Sequence, residues 1–168
     1  MASLDKLRVL VADDNHNMRA IVVAVLKGIG IKEIREAHDG GAALSVLNEW
    51  PADLAIVDVR MDPIDGVEFT RLVRNAVDSR NRYLPIIMLT GYADRARVME
   101  ARDAGVTEIV VKPMTAKALM GRLHAVIFQP RPYVRTGLYF GPDRRRQQSP
   151  TYDGPERRTE DIGRKNSA

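Results

Sequence analysis

Residues 54–66 read LAIVDVRMDPIDG, and the opening of that stretch decides the fold. Leu54 to Val57 run without a polar break, and Asp58 ends the run. A strand buried on one face alternates apolar with polar residues, whereas a short unbroken apolar run marks a strand buried on both faces. Strands of that kind belong to parallel sheets, whose members need a helical crossover between them.

Working outward, the same signal recurs at 7–12 (LRVLVA), 84–90 (LPIIMLT) and 107–111 (TEIVV). A fifth segment, 31–37 (IKEIREA), alternates instead. Helical periodicity fills the gaps. Residues 15–29 put Met18, Ile21, Val22, Val25, Leu26 and Ile29 on one face, and 41–49, 65–77, 94–104 and 115–127 behave alike. Asp65 and Asp94 are suited to N-caps, and Gly105 to the left-handed residue after a helix. The alternation predicts a doubly wound (βα)5 flavodoxin-like α/β domain over 1–128.

In such a sheet, ligands sit beyond the carboxyl ends of the strands. Asp13 and Asp14 follow the first strand, Asp58 ends the third, Thr90 the fourth and Lys112 the fifth. Each has a bland explanation alone: a turn aspartate, a β-branched strand end, a solvated lysine. Chance does not readily put all five on one rim. Three carboxylates without His or Cys make a hard oxygen site suited to Mg²⁺. With a carboxylate nucleophile, a hydroxyl and an ammonium, the set has the parts for phosphoryl transfer onto Asp58. There is no glycine-rich phosphate loop, so the site is expected to accept a phosphoryl group and not to be an enzyme. A small phosphatase is disfavoured because so short a domain has no substrate cap.

The segments VLVADDN, AIVDVRMDPIDG, IIMLTG and VVKP, in this order and spacing, resemble the CheY-like response-regulator receiver domain over about residues 5–127. The resemblance implies Asp58 as phospho-acceptor, with Thr90 and Lys112 on the phosphoryl group. Asp13, Asp14, Asp58 and the backbone carbonyl of Arg60 would hold Mg²⁺. It also implies a cis Lys112–Pro113 bond and a histidine kinase or phosphotransfer protein as donor. Two positions depart from the family. Asp62 stands where receivers usually carry Pro, and Ile109 where they commonly carry the Tyr or Phe that turns inward on phosphorylation. Tyr92 is a candidate substitute.

Other classes are excluded early. No cysteine is present, and the three histidines lack ligand spacing. No apolar run suits a membrane span, and acid appears too early for a signal peptide. A cytoplasmic protein with no membrane insertion is expected.

Residues 129–168 differ from the rest. They carry 9 Lys+Arg against 5 Asp+Glu, whereas 1–128 carry 17 of each, so the net +4 lies in this extension. Only Val134, Leu138, Phe140 and Ile162 are large aliphatic or Phe residues. That composition predicts an arginine-rich tail, disordered until a ligand binds, and no helix-turn-helix core for specific DNA. Within it YFGPDRR (139–145) returns as YDGPERR (152–158), too short for a unit of fold. Arginine largely replaces lysine, as suits a flat fork that pairs two acceptors; guanine offers O6 and N7. Two equal half-motifs would match a ligand of two equal halves, such as cyclic di-GMP. The candidate contacts are Tyr139, Gly141, Pro142, Asp143, Arg144, Arg145, Arg146, Tyr152, Arg157 and Arg158. About residues 131–160 resemble the arginine-rich extension of the Cle group of cyclic di-GMP-binding flagellar-motor regulators. That resemblance implies a motor protein as partner and recruitment to the flagellar base or cell pole. The alternatives are a plain phosphorelay receiver with an incidental basic tail, or a tail that binds RNA or acidic surfaces.

Overall fold

The computed structural model describes residues 3–91 and 95–145. In chain order they form β1 (Arg8–Ala12), α1 (His16–Gly28), β2 (Glu33–Ala37), α2 (Gly40–Glu49), β3 (Leu54–Asp58) and α3 (Gly66–Asn75). There follow β4 (Ile86–Thr90), α4 (Arg95–Ala104), β5 (Glu108–Val111), α5 (Ala116–Phe128), β6 (Tyr133–Thr136) and β7 (Tyr139–Pro142). β1 to β5 make one parallel sheet of order β2-β1-β3-β4-β5. The unbroken apolar run of β3 has its cause here: the strand lies at the sheet centre with all five residues buried.

Period-two alternation divides the core into two layers. Leu10, Ala12, Ala55, Val57, Ile86 and Met88 face one side, with Ala43 of α2, Phe69 and Val73 of α3, and Ala101 of α4. Val9, Val11, Ile56, Ile87 and Leu89 face the other, with Val22 and Leu26 of α1 and Leu119 and Leu123 of α5. Each Val, Leu, Ile, Met or Phe among these contributes roughly 1.5–3 kcal/mol when fully buried, which is why alternating faces fix the register. β2 is an edge strand, and Glu33, Arg35 and Glu36 face water, which explains its alternating pattern.

The caps follow the side-chain chemistry. Asn15, Asp39, Asp65 and Thr115 accept from the backbone N–H three residues on, at 3.1, 2.7, 2.9 and 3.0 Å. Gly105 follows α4 at φ 102° and donates to Ala101 O at 3.1 Å. Asp94, the other expected cap, lies outside the described residues. Among those described, no helix is long and apolar enough to cross a membrane.

One expectation is corrected. Composition predicts an extension disordered from residue 129 until a ligand binds, yet β6 and β7 form an antiparallel hairpin that packs on the body, with Val134 opposite Gly141. Gly137, at φ 53°, starts its two-residue turn. Composition misled because it counts the apolar residues the segment could bury against itself. A hairpin is marginal alone but stable when packed against another element. Phe140 is buried in the body, its ring edge-on to Tyr83 at 5.5 Å. The division at 128/129 therefore does not separate two independent units over 129–145.

Candidate functional site

Local backbone interactions build the carboxyl rim of the sheet. β1 delivers Asp13, whose N–H donates to Ala37 O at 3.1 Å and whose carbonyl accepts from Arg19 Nη1 at 2.7 Å. Its Oδ1 accepts from Asn15 N at 2.9 Å, turning the carboxylate inward. β3 delivers Asp58 at the point where α3 comes closest. A Cβ on Gly66 would fall 2.4 Å from Asp58 O, so that position has room for glycine alone. Lys112 N donates to Thr90 O at 2.6 Å, which brings the ends of β4 and β5 together. Lys112–Pro113 is cis, as the resemblance implied, and Asp62–Pro63 is cis as well.

Four of the five side chains expected on one rim meet, and Thr90 ends the strand next to Asp58. One oxygen from each of Asp13, Asp14 and Asp58 lies within 4.8 Å of the others. Lys112 Nζ stands 2.9 Å from Asp58 Oδ1 and 3.6 Å from Asp13 Oδ2, the second beyond hydrogen-bond length. Asp13, Asp58 and Thr90 are buried and Asp14 is exposed, so the trio has a dry floor and a wet mouth. Burial foremost, with Asp13 beside it, pushes the Asp58 carboxyl up to about 6 against the pull of Lys112. Burial likewise raises Asp13.

Two buried atoms on this rim, Asp13 Oδ2 and Thr90 Oγ1, have no hydrogen-bond partner among the described residues. An unpartnered buried oxygen is costly and signals a ligand. A hard divalent cation suits the carboxylate and a phosphoryl oxygen suits the hydroxyl, so these residues fit Mg²⁺. Arg60 is exposed on the loop just beyond Asp58. Ile109 is half-buried against the core beside Met88, where the expected aromatic would be. Tyr92 lies outside the described residues.

The tail candidates divide. Tyr139, Gly141, Pro142, Asp143, Arg144 and Arg145 are described; Arg146, Tyr152, Arg157 and Arg158 lie outside the described residues. The Arg144 guanidinium lies 4.2 Å from the centre of the Tyr139 ring. Arg145 N donates to Asp143 Oδ1 at 3.0 Å. This group sits at the opposite end of the sheet from Asp58, beside the residues that precede β4 and β5.

Sequence reading missed Arg74. It is fully buried, with Nε donating to Gly105 O at 3.0 Å and Nη1 to Arg82 O at 2.9 Å, while Nη2 has no partner among the described residues. Tyr133 of the hairpin covers its guanidinium at 5.2 Å. A signal did exist: Arg74 is in helical step with Val67, Thr70 and Val73 on the buried face of α3.

A parallel sheet of this order, bearing three carboxylates, a threonine and a lysine over its carboxyl edge, defines a receiver-type α/β protein. Comparison with known proteins gives the same class. Residues 9–124 match the response regulator receiver domain. CheY of Pseudomonas aeruginosa is 35% identical over 120 residues, covering 71% of this chain and 95% of that protein. CheY-3 of Vibrio cholerae is 33% identical over 120 residues, covering 71% and 91%. The solved structure of Vibrio cholerae CheY4 superposes with a TM-score of 0.65 at 32% identity, covering 72% of this chain and 98% of that one. The chain belongs to the response regulator receiver family and is CheY-like.

Proposed function

We propose that this is a non-enzymatic signalling module that accepts a phosphoryl group on Asp58 and binds cyclic di-GMP through its arginine-rich extension. The observation that carries the first half is the Lys112–Asp58 pair at 2.9 Å inside a carboxylate trio. An Asp58 oxygen attacks the phosphorus of a phosphorylated imidazole on a kinase or phosphotransfer partner. The O–P bond forms, the N–P bond breaks, and the leaving imidazole takes up a proton. Lys112 holds the acceptor oxygen in place, and Thr90 Oγ1 is free to donate to a phosphoryl oxygen. Asp13, Asp14, Asp58 and the Arg60 carbonyl would hold Mg²⁺, which neutralises the charge on the phosphoryl oxygens.

The second half is supported by the repeat, which sets arginines beside a tyrosine twice over. The relatives are chemotaxis proteins. Chemotaxis signalling, with docking on a flagellar-motor protein at the cell's motor, is the context that fits this chain, acting from the cytoplasm.

Calorimetric titration with cyclic di-GMP and cyclic di-AMP, at two salt concentrations, tests the ligand. Saturable binding of cyclic di-GMP alone is expected, weakened when Arg144 and Arg145 become lysine. Equal, salt-governed binding of both dinucleotides would return the extension to a loosely basic tail. Labelling by a small phosphodonor with magnesium tests the acceptor; undiminished labelling of Asp58→Asn would sink that assignment.

A further inference from the structure

The groups of the first repeat assigned to the ligand are already engaged. Tyr139 Oη donates to Pro142 O at 2.7 Å, and one face of its ring carries the Arg144 guanidinium. Arg144 Nη1 pairs with Asp103 of α4 at 3.0 Å. A Cβ on Gly141 would meet Gly105 Cα at 2.9 Å, so backbone lies against backbone there and nothing else can enter. Asp143 N donates to Pro132 O at 2.7 Å, and Asp143 O accepts from Arg131 Nη1 at 3.2 Å.

The body, for its part, offers a built seat. Arg131 Nη2 donates to Thr107 O, and Tyr133 Oη donates to Tyr83 O at 2.7 Å. The rings of Tyr83, Tyr133 and Phe140 meet at 5.2, 5.5 and 5.9 Å, and that of Tyr133 lies over the buried Arg74. Phe140 is the only residue of the first repeat whose large apolar side chain is buried in this seat.

At the matching place in the second repeat the residue is Asp153. A carboxylate cannot replace a phenyl ring between two tyrosines without losing its hydration. The two copies are thus inequivalent as long as the first is seated. A ligand that takes the two phrases as equals therefore cannot engage the first while Phe140 stays seated. Arg144 points the same way. Its fork must leave Asp103, and its face must leave Tyr139, before it can pair with a guanine edge and free the ring for a base.

We infer that the seated hairpin is the ligand-free state of the extension, and that capture of cyclic di-GMP by the first repeat lifts it from the body. This rests on the cyclic di-GMP reading above. Lifting withdraws Arg144 from α4 and Arg131 from Glu108, so ligand occupancy is transmitted to α4 and to β5, the strand that carries Ile109. Binding and seating then oppose each other, and any change that weakens the seat strengthens binding.

The experiment uses the full chain and two variants, Asp103→Asn and Tyr83→Ala, both outside the assigned ligand contacts. Cyclic di-GMP affinity is measured by calorimetry. Amide hydrogen exchange across residues 133–142 is followed with and without saturating ligand. Expected are loss of protection in the hairpin on binding and at least threefold tighter binding by both variants. Retained or increased protection, or unchanged or weaker binding by the variants, overturns the inference and leaves the ligand reading intact. Failure of the wild type and both variants to bind overturns the two together.

Discussion

The two ends of the sheet are built on opposite plans. At the carboxyl end, polar groups are placed by topology: each follows a strand, and each could be read from the chain before any packing was known. At the amino end, Arg74, Tyr83, Gly105 and Thr107 come from a helix, two loops and a strand approach, and the hairpin alone gives them a common purpose. Among the described residues the carboxyl rim keeps two buried oxygens without a partner, whereas at the other end the buried side-chain atom left so is Arg74 Nη2. A site poised for chemistry is incomplete; a joint is closed.

The sharpest way to break this comparison is to remove the proposed acceptor. Asp58→Asn should abolish phosphoryl labelling while leaving the hairpin seated, as read by hydrogen exchange of residues 133–142. Loss of hairpin protection in that variant would mean the two ends are not separately built.

Next in size is Arg74→Ala. It deletes a buried side chain and leaves Gly105 O and Arg82 O without their donors. A loss of about 3–5 kcal/mol is expected by urea denaturation, since charged hydrogen bonds contribute roughly 1.5–3 kcal/mol each. A loss below about 1 kcal/mol would remove Arg74 as the centre of the joint.

A smaller effect, of opposite sign, is expected at Asp58 in magnesium-free buffer. Its folded carboxyl titrates at about 6, against an unfolded value of about 3.9. The folded state therefore holds this proton more tightly. Stability from this group is full below about pH 4 and is lost as pH rises through about 6. Above pH 7, Asp58→Asn should stabilise the protein by up to about 3 kcal/mol, at roughly 1.4 kcal/mol per pKa unit. Below pH 4 the variant and wild type should converge. A pH-independent difference in melting would contradict the burial argument.

The smallest change expected is at Asp39, whose carboxylate caps α2 at Ala42 N. Asp39→Ala should cost about 1 kcal/mol in chemical denaturation and leave both ends functional.

What could be read from the sequence follows the same division. The five strands and five α-helices of the body are legible within a few residues, because apolar periodicity and capping chemistry are local properties. Asp13, Asp14, Asp58, Thr90 and Lys112 were legible because a parallel sheet turns sequence order into a shared edge. The hairpin was not. Tyr133, Phe140 and Arg131 are buried or bonded by residues far away in the chain, and composition cannot register a partner. Arg74 was hidden for a related reason: an arginine on a helix is ordinarily solvated, and only its step with Val67, Thr70 and Val73 hinted otherwise.

The seat also has an order in time. Its parts come from α3, the approach to β4, the end of α4 and the approach to β5, so it exists only once all of them have met. The ribosome makes the hairpin after every one of these, and a two-stranded ribbon gains little by forming alone. Closure of the hairpin over Arg74 is therefore the last event in building this part of the molecule. A chain with a misassembled body would leave Tyr133 and Phe140 uncovered, marking the unfinished protein for the chaperones and proteases that inspect new chains.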